Sequence, residues 1–269
     1  MTDSSAPVSA PADALDSLAA LDPRVIGATG GSGTRVVGRI VRAGGMYIGT
    51  NLNDYQDALD LGGYSDRWIN DFVSGGQLQG LSEEARADMV ADLSDALQAH
   101  RRDLPEDATA WGWKEPRSIY LLPFFNSVMP KLRFVHWMRD GRDMAFSENQ
   151  QQLRKHGQTV LGPKRIGRMK PARSIALWTT VNTWAADFGE QQMPDRYLRV
   201  RFEDLCAQPV ETVGKLYEFF GLEGDVEQAA AEVRPPGTLG RWRTEPAKTL
   251  AELHEIATPA LERFGYPAA

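Results

Sequence analysis

The chain has 269 residues, of which 42% are hydrophobic and 25% charged, with a net charge of −6. That is the make-up of a soluble globular protein, its acidic balance excludes general nucleic-acid binding, and no apolar run approaches the ~20 residues that span a bilayer. A single cysteine, Cys206, excludes an internal disulfide, and the histidines His100, His136, His156 and His254 are too far apart to give a local metal-ligand spacing.

Residues 1–23 are rich in Ala, Ser, Pro and Asp and carry no Lys or Arg. They lack the basic start and apolar core of a secretory signal and are expected to form a disordered leader with at most a weak helix at Ala12–Ala20. A cytoplasmic location is the matching expectation, in keeping with one packed thiol. Val25 and Ile26 lead into four glycines in seven residues, Gly27, Gly30, Gly31 and Gly33. Thr34 then opens a helical pattern with Val36, Val37, Ile40 and Val41 on one side. Strand, glycine turn and helix start bring backbone N–H groups and the positive end of a helix dipole to an anion. Gly44–Gly80 reads as an irregular insert beside that site, with a short helix around Tyr55–Leu61. Its aromatics Tyr47, Tyr55, Tyr64 and Trp68 either line a pocket or form a small core of their own.

Ser82 caps an amphipathic helix with Ala85, Met89, Leu93, Ala96, Leu97 and His100 on one face. Thr109–Trp113 reads as a strand that runs into Lys114-Glu115-Pro116-Arg117, followed by a helix from about Ser118 to Val128. Leu132–Met138 is a second strong strand, with His136 as a satisfied core residue. It ends in Arg139-Asp140-Gly141-Arg142-Asp143, which opens a helix through about Leu153 and puts Ser147 two turns in. Leu153–Arg173 holds seven Lys/Arg and no acid, either a solvated loop or a basic lid. The next helix turns Leu177, Val181, Trp184 and Phe188 inward. A strand at Tyr197–Arg201, helices at Glu203–Leu205 and Val210–Phe220 ended by Gly221, a Pro/Gly loop at Arg234–Thr244 and a helix at Pro246–Phe264 complete the chain. This alternation predicts an α/β fold of three layers, a mostly parallel central sheet with helices on both faces, in a single domain over 24–269.

Three anion loops compete for the glycine turn. A P-loop needs G-x-x-x-x-G-K-[ST], whereas Gly33 is followed by Thr34 and Arg35, so an ordinary ATPase or kinase is excluded. The opening V-I-G-A-T-G-G-S-G-T-R is also close to that of atypical short-chain dehydrogenases, which makes an NAD(P)-dependent reductase the rival enzyme. That fold needs a second strand straight after Gly45, where Met46-Tyr47-Ile48-Gly49 is a poor one, and none of the seven tyrosines has Lys four residues on. The third loop brings four further stretches with it. Gly31-Ser32-Gly33-Thr34, Lys114-Glu115-Pro116-Arg117, Arg139-Asp140-Gly141-Arg142-Asp143 with Ser147, Val200-Arg201-Phe202-Glu203-Asp204-Leu205 and Gly237-Thr238-Leu239-Gly240-Arg241-Trp242-Arg243 resemble, in order, the motifs of the PAPS-dependent sulfotransferases. The likeness is to their bacterial and tyrosylprotein-like branch, on a P-loop NTPase-like fold.

The resemblance implies 3′-phosphoadenosine 5′-phosphosulfate (PAPS) as donor, 3′-phosphoadenosine 5′-phosphate (PAP) as product and no metal. Gly31, Ser32, Gly33, Thr34 and Arg35 would surround the 5′-phosphosulfate, Arg139 and Ser147 the 3′-phosphate, and Gly237, Thr238 and Arg241 a loop over the nucleotide. Lys114 would be the cation at the leaving oxygen. Asp54 would be the base, with Asp57 and Glu115 as alternatives. The acceptor would be a hydroxyl or amine of a small molecule or carbohydrate, with no nucleic-acid partner and a homodimer left open. Three positions depart from the family pattern: Gly31 where a basic residue is usual, Pro235-Pro236 where a basic pair is usual, and Phe202 for Tyr. Arg35 and Lys114 are the replacements for the first, Arg234 or Arg241 for the second. Without such replacement the chain would bind the nucleotide and not transfer from it.

Overall fold

The computed structural model describes residues 12–163 and 170–266. Four apolar runs form the strands β1 (Arg24–Ala28), β2 (Gly112–Lys114), β3 (Arg133–Met138) and β4 (Tyr197–Arg201), which pair in the order β2-β1-β3-β4 with every pairing parallel. Side chains alternate between the two faces of a strand. Val25 and Phe134 therefore enter one core with Trp113, Phe124 and Phe125, while Ile26, Ala28, Val135 and Trp137 enter another with Val37, Ile40, Leu216 and Phe220. Every residue of β1 is buried, as a sheet covered on both faces requires. The expected α/β architecture stands.

The helices are α1 (Ala12–Ala20), α2 (Thr34–Ala43), α3 (Leu59–Ser74), α4 (Glu83–His100), α5 (Leu122–Val128), α6 (Gly141–Ala145), α7 (Gln151–Leu161), α8 (Lys170–Gln192), α9 (Phe202–Ala207), α10 (Pro209–Phe220), α11 (Val226–Ala231) and α12 (Ala247–Arg263). The Ser82 hydroxyl caps α4 by accepting from the Ala85 N–H, and Gly221 ends α10 in the left-handed region at φ 67°. None of the helices among the described residues is long and apolar enough to cross a membrane.

Five expectations are corrected. The helix read at Ala12–Ala20 forms with those bounds, and what is corrected is the disorder of that stretch, since Leu18 of α1 is only 2% exposed and packs into the first core; residues 1–11 lie outside the described residues. The supposed irregular insert contains α3, whose Leu61, Tyr64, Trp68, Ile69 and Phe72 make a buried stripe at helical spacing. Tyr64 and Trp68 are thus core, and Tyr55 alone of the four aromatics is exposed, at 58%. The helix after Arg139 stops at Ala145, where the Gln150 amide donates to the carbonyls of Met144 and Ser147, so Ser147 follows α6 instead of lying within a helix. On α8 Leu177 and Val181 face inward as expected, with Ile175, Trp178, Asn182 and Ala185, while Trp184 is 37% exposed and Phe188 is only partly buried. The strand expected at Thr109–Trp113 forms later, so that Lys114 is itself the last residue of β2. After Gly45, Tyr47 makes only an isolated bridge to Trp111, which is not the second strand of a dinucleotide fold. Of the basic segment 153–173, the stretch 164–169 lies outside the described residues.

Two buried histidines give the fold a pH signature. His136 bonds Tyr197 and Asn182, and His156 bonds Asn70. Burial pushes each pKa down to about 4 from an ordinary 6.5. Between these values the unfolded chain holds protons that the folded chain refuses, so their contribution to stability is complete above pH 6.5 and is lost as pH falls towards 4. Urea midpoints measured from pH 7.5 to 4 should fall less steeply in His136→Gln than in the native sequence. Parallel profiles would refute the assignment.

Candidate functional site

The C-terminal ends of all four parallel strands converge on one edge of the sheet, and each contributes a residue with chemistry: the glycine turn after β1, Lys114 ending β2, Arg139 after β3 and Phe202 after β4. In open α/β sheets this edge is where ligands bind.

Gly31 and Gly33 have φ of +89° and +79°, a region closed to most side chains. Gly33 is also the N-cap of α2 and leaves the helix start without a side-chain cap, so the first N–H groups of α2 have no partner within the helix. The Ser32 hydroxyl donates inward to the Thr29 carbonyl at 2.8 Å, and Trp137 Nε1 donates to the Ser32 carbonyl at 3.0 Å. Backbone N–H groups, with Thr34, are what the turn presents. A Cβ added to Gly31 would lie 3.1 Å from Ser147 Oγ, and one added to Gly33 would lie 3.2 Å from the Phe202 ring. Ser147 is therefore brought against the turn even though no helix carries it. Restoring a basic residue in Gly31→Lys should lower both the melting temperature and the affinity for an anionic nucleotide, because positive φ costs about 1–2 kcal/mol in an L-residue and Ser147 fills the space. Thermal shift and nucleotide titration check this; tighter binding by the lysine variant would contradict it.

Lys114 is 0% exposed. Its Nζ donates to the Tyr55 carbonyl at 2.6 Å and to Asp57 Oδ1, and its stem runs beside Gly38 of α2. Burial pulls its pKa down and Asp57 opposes that shift. Asp54, the residue first expected as base, is exposed. The loop explains why Asp57 and not Asp54 meets Lys114: Asn53 Oδ1 accepts from the N–H groups of both Tyr55 and Asp57, and Asn53 Nδ2 donates to Asp57 Oδ2. This Asx turn tucks Asp57 in and leaves Asp54 out. Glu115, the other alternative, is buried and held by Arg117 Nε at 2.8 Å and Ser65 Oγ at 3.2 Å. Burial raises its pKa, with Arg117 acting against the rise. Arg35 is exposed, lies 4.6 Å over the Tyr55 ring and acts on Lys114 as a like charge.

Arg139 is 3% exposed. Its Nη2 donates to Asp143 Oδ2 at 2.8 Å and to the Thr238 carbonyl, its guanidinium lies 5.4 Å from the Phe202 ring centre, and its buried Nε has no hydrogen-bond partner among the described residues. A buried donor left unpaired is costly, and an anion is its complement. Gly237 and Thr238 are exposed at this point, and Arg241 donates to the carbonyls of Thr238 and Phe146. Burial and the neighbouring Arg139 lower the pKa of Arg241. Arg234 turns instead to the carbonyls of Ala231 and Val233. Two contributors escaped the sequence reading. Gln152 of α7 donates to the Ala28 carbonyl and packs against Gly30, and only its place in the tertiary fold reveals it. Asp143 lies in the R-D-G-R-D stretch, and its part shows in its contacts with Arg139, Gly240 and Trp242.

A family model described as the sulfotransferase family matches residues 55–227, well over half of the chain and starting beyond the glycine turn. In structure the chain is similar to the sulfotransferase domain from the Synechococcus PCC 7002 olefin synthase, at 19% identity and TM-score 0.55 over 92% of this chain and 95% of that one. It is similar to the sulfotransferase domain from the curacin biosynthetic pathway at 15% identity and TM-score 0.53, over 93% and 99%. It is also similar to mouse sulfotransferase SULT7A1 complexed with PAP at 11% identity and TM-score 0.50, over 93% and 88%. At these identities the likeness is one of fold. Compared in sequence with curated proteins, the chain finds no match.

Proposed function

This chain belongs to the sulfotransferase family, and we propose that it moves the sulfuryl group of PAPS to a hydroxyl or amine of a small-molecule or carbohydrate acceptor by in-line displacement, in the cytoplasm. The observation that carries the reading is the buried, unpartnered Nε of Arg139 at the same sheet edge as an uncapped helix start and a buried lysine. These groups fit an anion charged at both ends. The N–H groups of the turn from Gly31 to Thr34 hold the 5′ end. Arg139 Nε and the Ser147 hydroxyl hold the 3′-phosphate, with Arg241 adding charge from the 237–242 loop. When bound, PAPS supplies the activated sulfuryl group.

Sulfuryl transfer resembles phosphoryl transfer in asking the protein for position and charge stabilisation more than covalent work. An ammonium has three N–H donors. Two of those on Lys114 are committed to Tyr55 and Asp57, and the third serves the bridging oxygen as negative charge develops there. Asp57, which accepts a hydrogen bond from Lys114, takes the acceptor proton. Arg35, fixed over Tyr55, adds the positive charge that Gly31 lacks.

Protection against thermal unfolding tests the donor. PAP should raise the melting temperature, as a ligand of the folded state must, and NADPH should not; stabilisation by NADPH alone would sink the reading. One observation favours a second reading, nucleotide binding without transfer: Ser147 fills the space where the family's cation stands. PAP binding with no mass shift across a broad panel of hydroxyl and amine acceptors would support that one instead.

A further inference from the structure

The donor reading leaves the second carboxylate of the R-D-G-R-D stretch without a role. Asp143 is 1% exposed and both of its oxygens are engaged. Oδ2 accepts from Arg139 Nη2 at 2.8 Å and from the Gly240 N–H at 2.7 Å, and Oδ1 accepts from the Trp242 N–H at 3.3 Å. One buried carboxylate therefore ties the guanidinium at the end of β3 to two backbone donors of a loop 97 residues further on. The loop returns the contact, since the Thr238 carbonyl accepts from Arg139 and from Arg241. The Arg142 guanidinium lies 3.8 Å over the Trp242 ring and closes the far side of the loop.

We propose that Asp143 is a positioning residue that couples the 237–242 loop to Arg139, so that the nucleotide's 3′-phosphate and the loop are held or released together. This rests on the donor reading above. With Nη2 committed to Asp143 and Thr238, the guanidinium plane is fixed and its Nε edge faces the ligand. An ionised carboxylate accepts several donors at once. An asparagine of the same shape offers a single acceptor oxygen and sets its own N–H groups against the remaining donors. Charge alone predicts the opposite outcome: deleting a negative charge beside a phosphate strengthens the phosphate's attraction. The sign of the effect of Asp143→Asn therefore decides between positioning and simple competition.

The native protein and Asp143→Asn are titrated with PAP and with adenosine 5′-phosphate, which lacks the 3′-phosphate, and amide hydrogen exchange is followed over 237–242. In the variant the Kd for PAP should rise about tenfold, that for adenosine 5′-phosphate should stay within about twofold, and the Gly240 and Trp242 amides should exchange faster without nucleotide. Equal changes for both nucleotides, unaltered exchange, or tighter binding of PAP by the variant overturns the proposal. Should the variant not fold, the native protein decides: PAP slows exchange at Gly240 and Trp242 and adenosine 5′-phosphate does not, whereas equal slowing by both overturns the coupling. A native protein that binds neither nucleotide overturns the donor reading and the coupling together; one that discriminates between them while Asp143→Asn discriminates equally well overturns the coupling alone.

Discussion

Replacing Lys114 with methionine should lower kcat by about 10²- to 10³-fold, the loss seen when one preorganised charge stabiliser is removed, and should raise the Kd for PAP as well. Both effects follow from where the ammonium sits. It is fully buried at the end of β2 and held by Tyr55 and Asp57, so its charge acts in a medium far less screening than water. PAP keeps the former bridging oxygen, fully charged once the sulfuryl group has left, and so meets the same ammonium. Methionine keeps the stem beside Gly38, so packing is not what is tested. Arginine is no conservative substitute, because its planar fork needs more room than a point charge on a flexible stem. An unchanged kcat, or a lowered kcat with PAP affinity untouched, would place Lys114 away from the bridging oxygen.

The same lysine predicts that activity and stability move in opposite directions at high pH. Burial holds the Lys114 pKa below its ordinary 10.5. In the window between the lowered value and 10.5, the unfolded chain binds a proton that the folded chain has released, so the contribution to stability rises with pH. The charge needed at the bridging oxygen disappears over that window. A kcat profile should fall on its alkaline side while the urea midpoint does not fall with it. A matching decline in both would mean that the protein is merely unfolding.

The strand ends were legible in the sequence because a buried parallel strand needs an apolar run and its chemistry sits at the residue where the run stops. Lys114, Arg139 and Phe202 all lie at such stops, and the sheet brings them to one edge. What the sequence hid depends on contacts between distant residues or on a single turn. Gly62 and Gly63 weaken the helical pattern of α3, yet its stripe from Leu61 to Phe72 buries enough apolar surface to override them. Asp54 is the first candidate by spacing and Asp57 an alternative, and one asparagine side chain sets which of the two meets Lys114. At the end of α6 the Gln150 side chain donates to one carbonyl of the helix, that of Met144, and to that of Ser147 beyond it, a contact no local propensity records. Gly31 reads as a loss when set beside the family pattern. In the fold its φ of +89° favours glycine, and Ser147 Oγ stands 3.1 Å from where a Cβ would lie.

Arg139→Ala should weaken PAP by about 10²-fold or more, the scale for truncating one partner of a buried charge pair, and should change the affinity for adenosine 5′-phosphate far less. The difference isolates the 3′-phosphate, because both nucleotides share every other group. The variant also leaves Asp143 buried without its guanidinium, which costs about 3–5 kcal/mol when a buried pair is broken, so a general loss of stability must be separated from a loss of recognition. The double variant Arg139→Ala with Asp143→Asn makes the separation. Removing the orphaned charge should restore most of the melting temperature, as expected for neighbours whose effects are not additive, and should restore none of the discrimination between PAP and adenosine 5′-phosphate. If discrimination returned along with stability, the 3′-phosphate would be read elsewhere at this edge, with Arg241 the nearest remaining cation through its contact with Thr238. If the single variant lost both nucleotides equally, Arg139 would be a structural residue whose unpaired Nε has no ligand to meet.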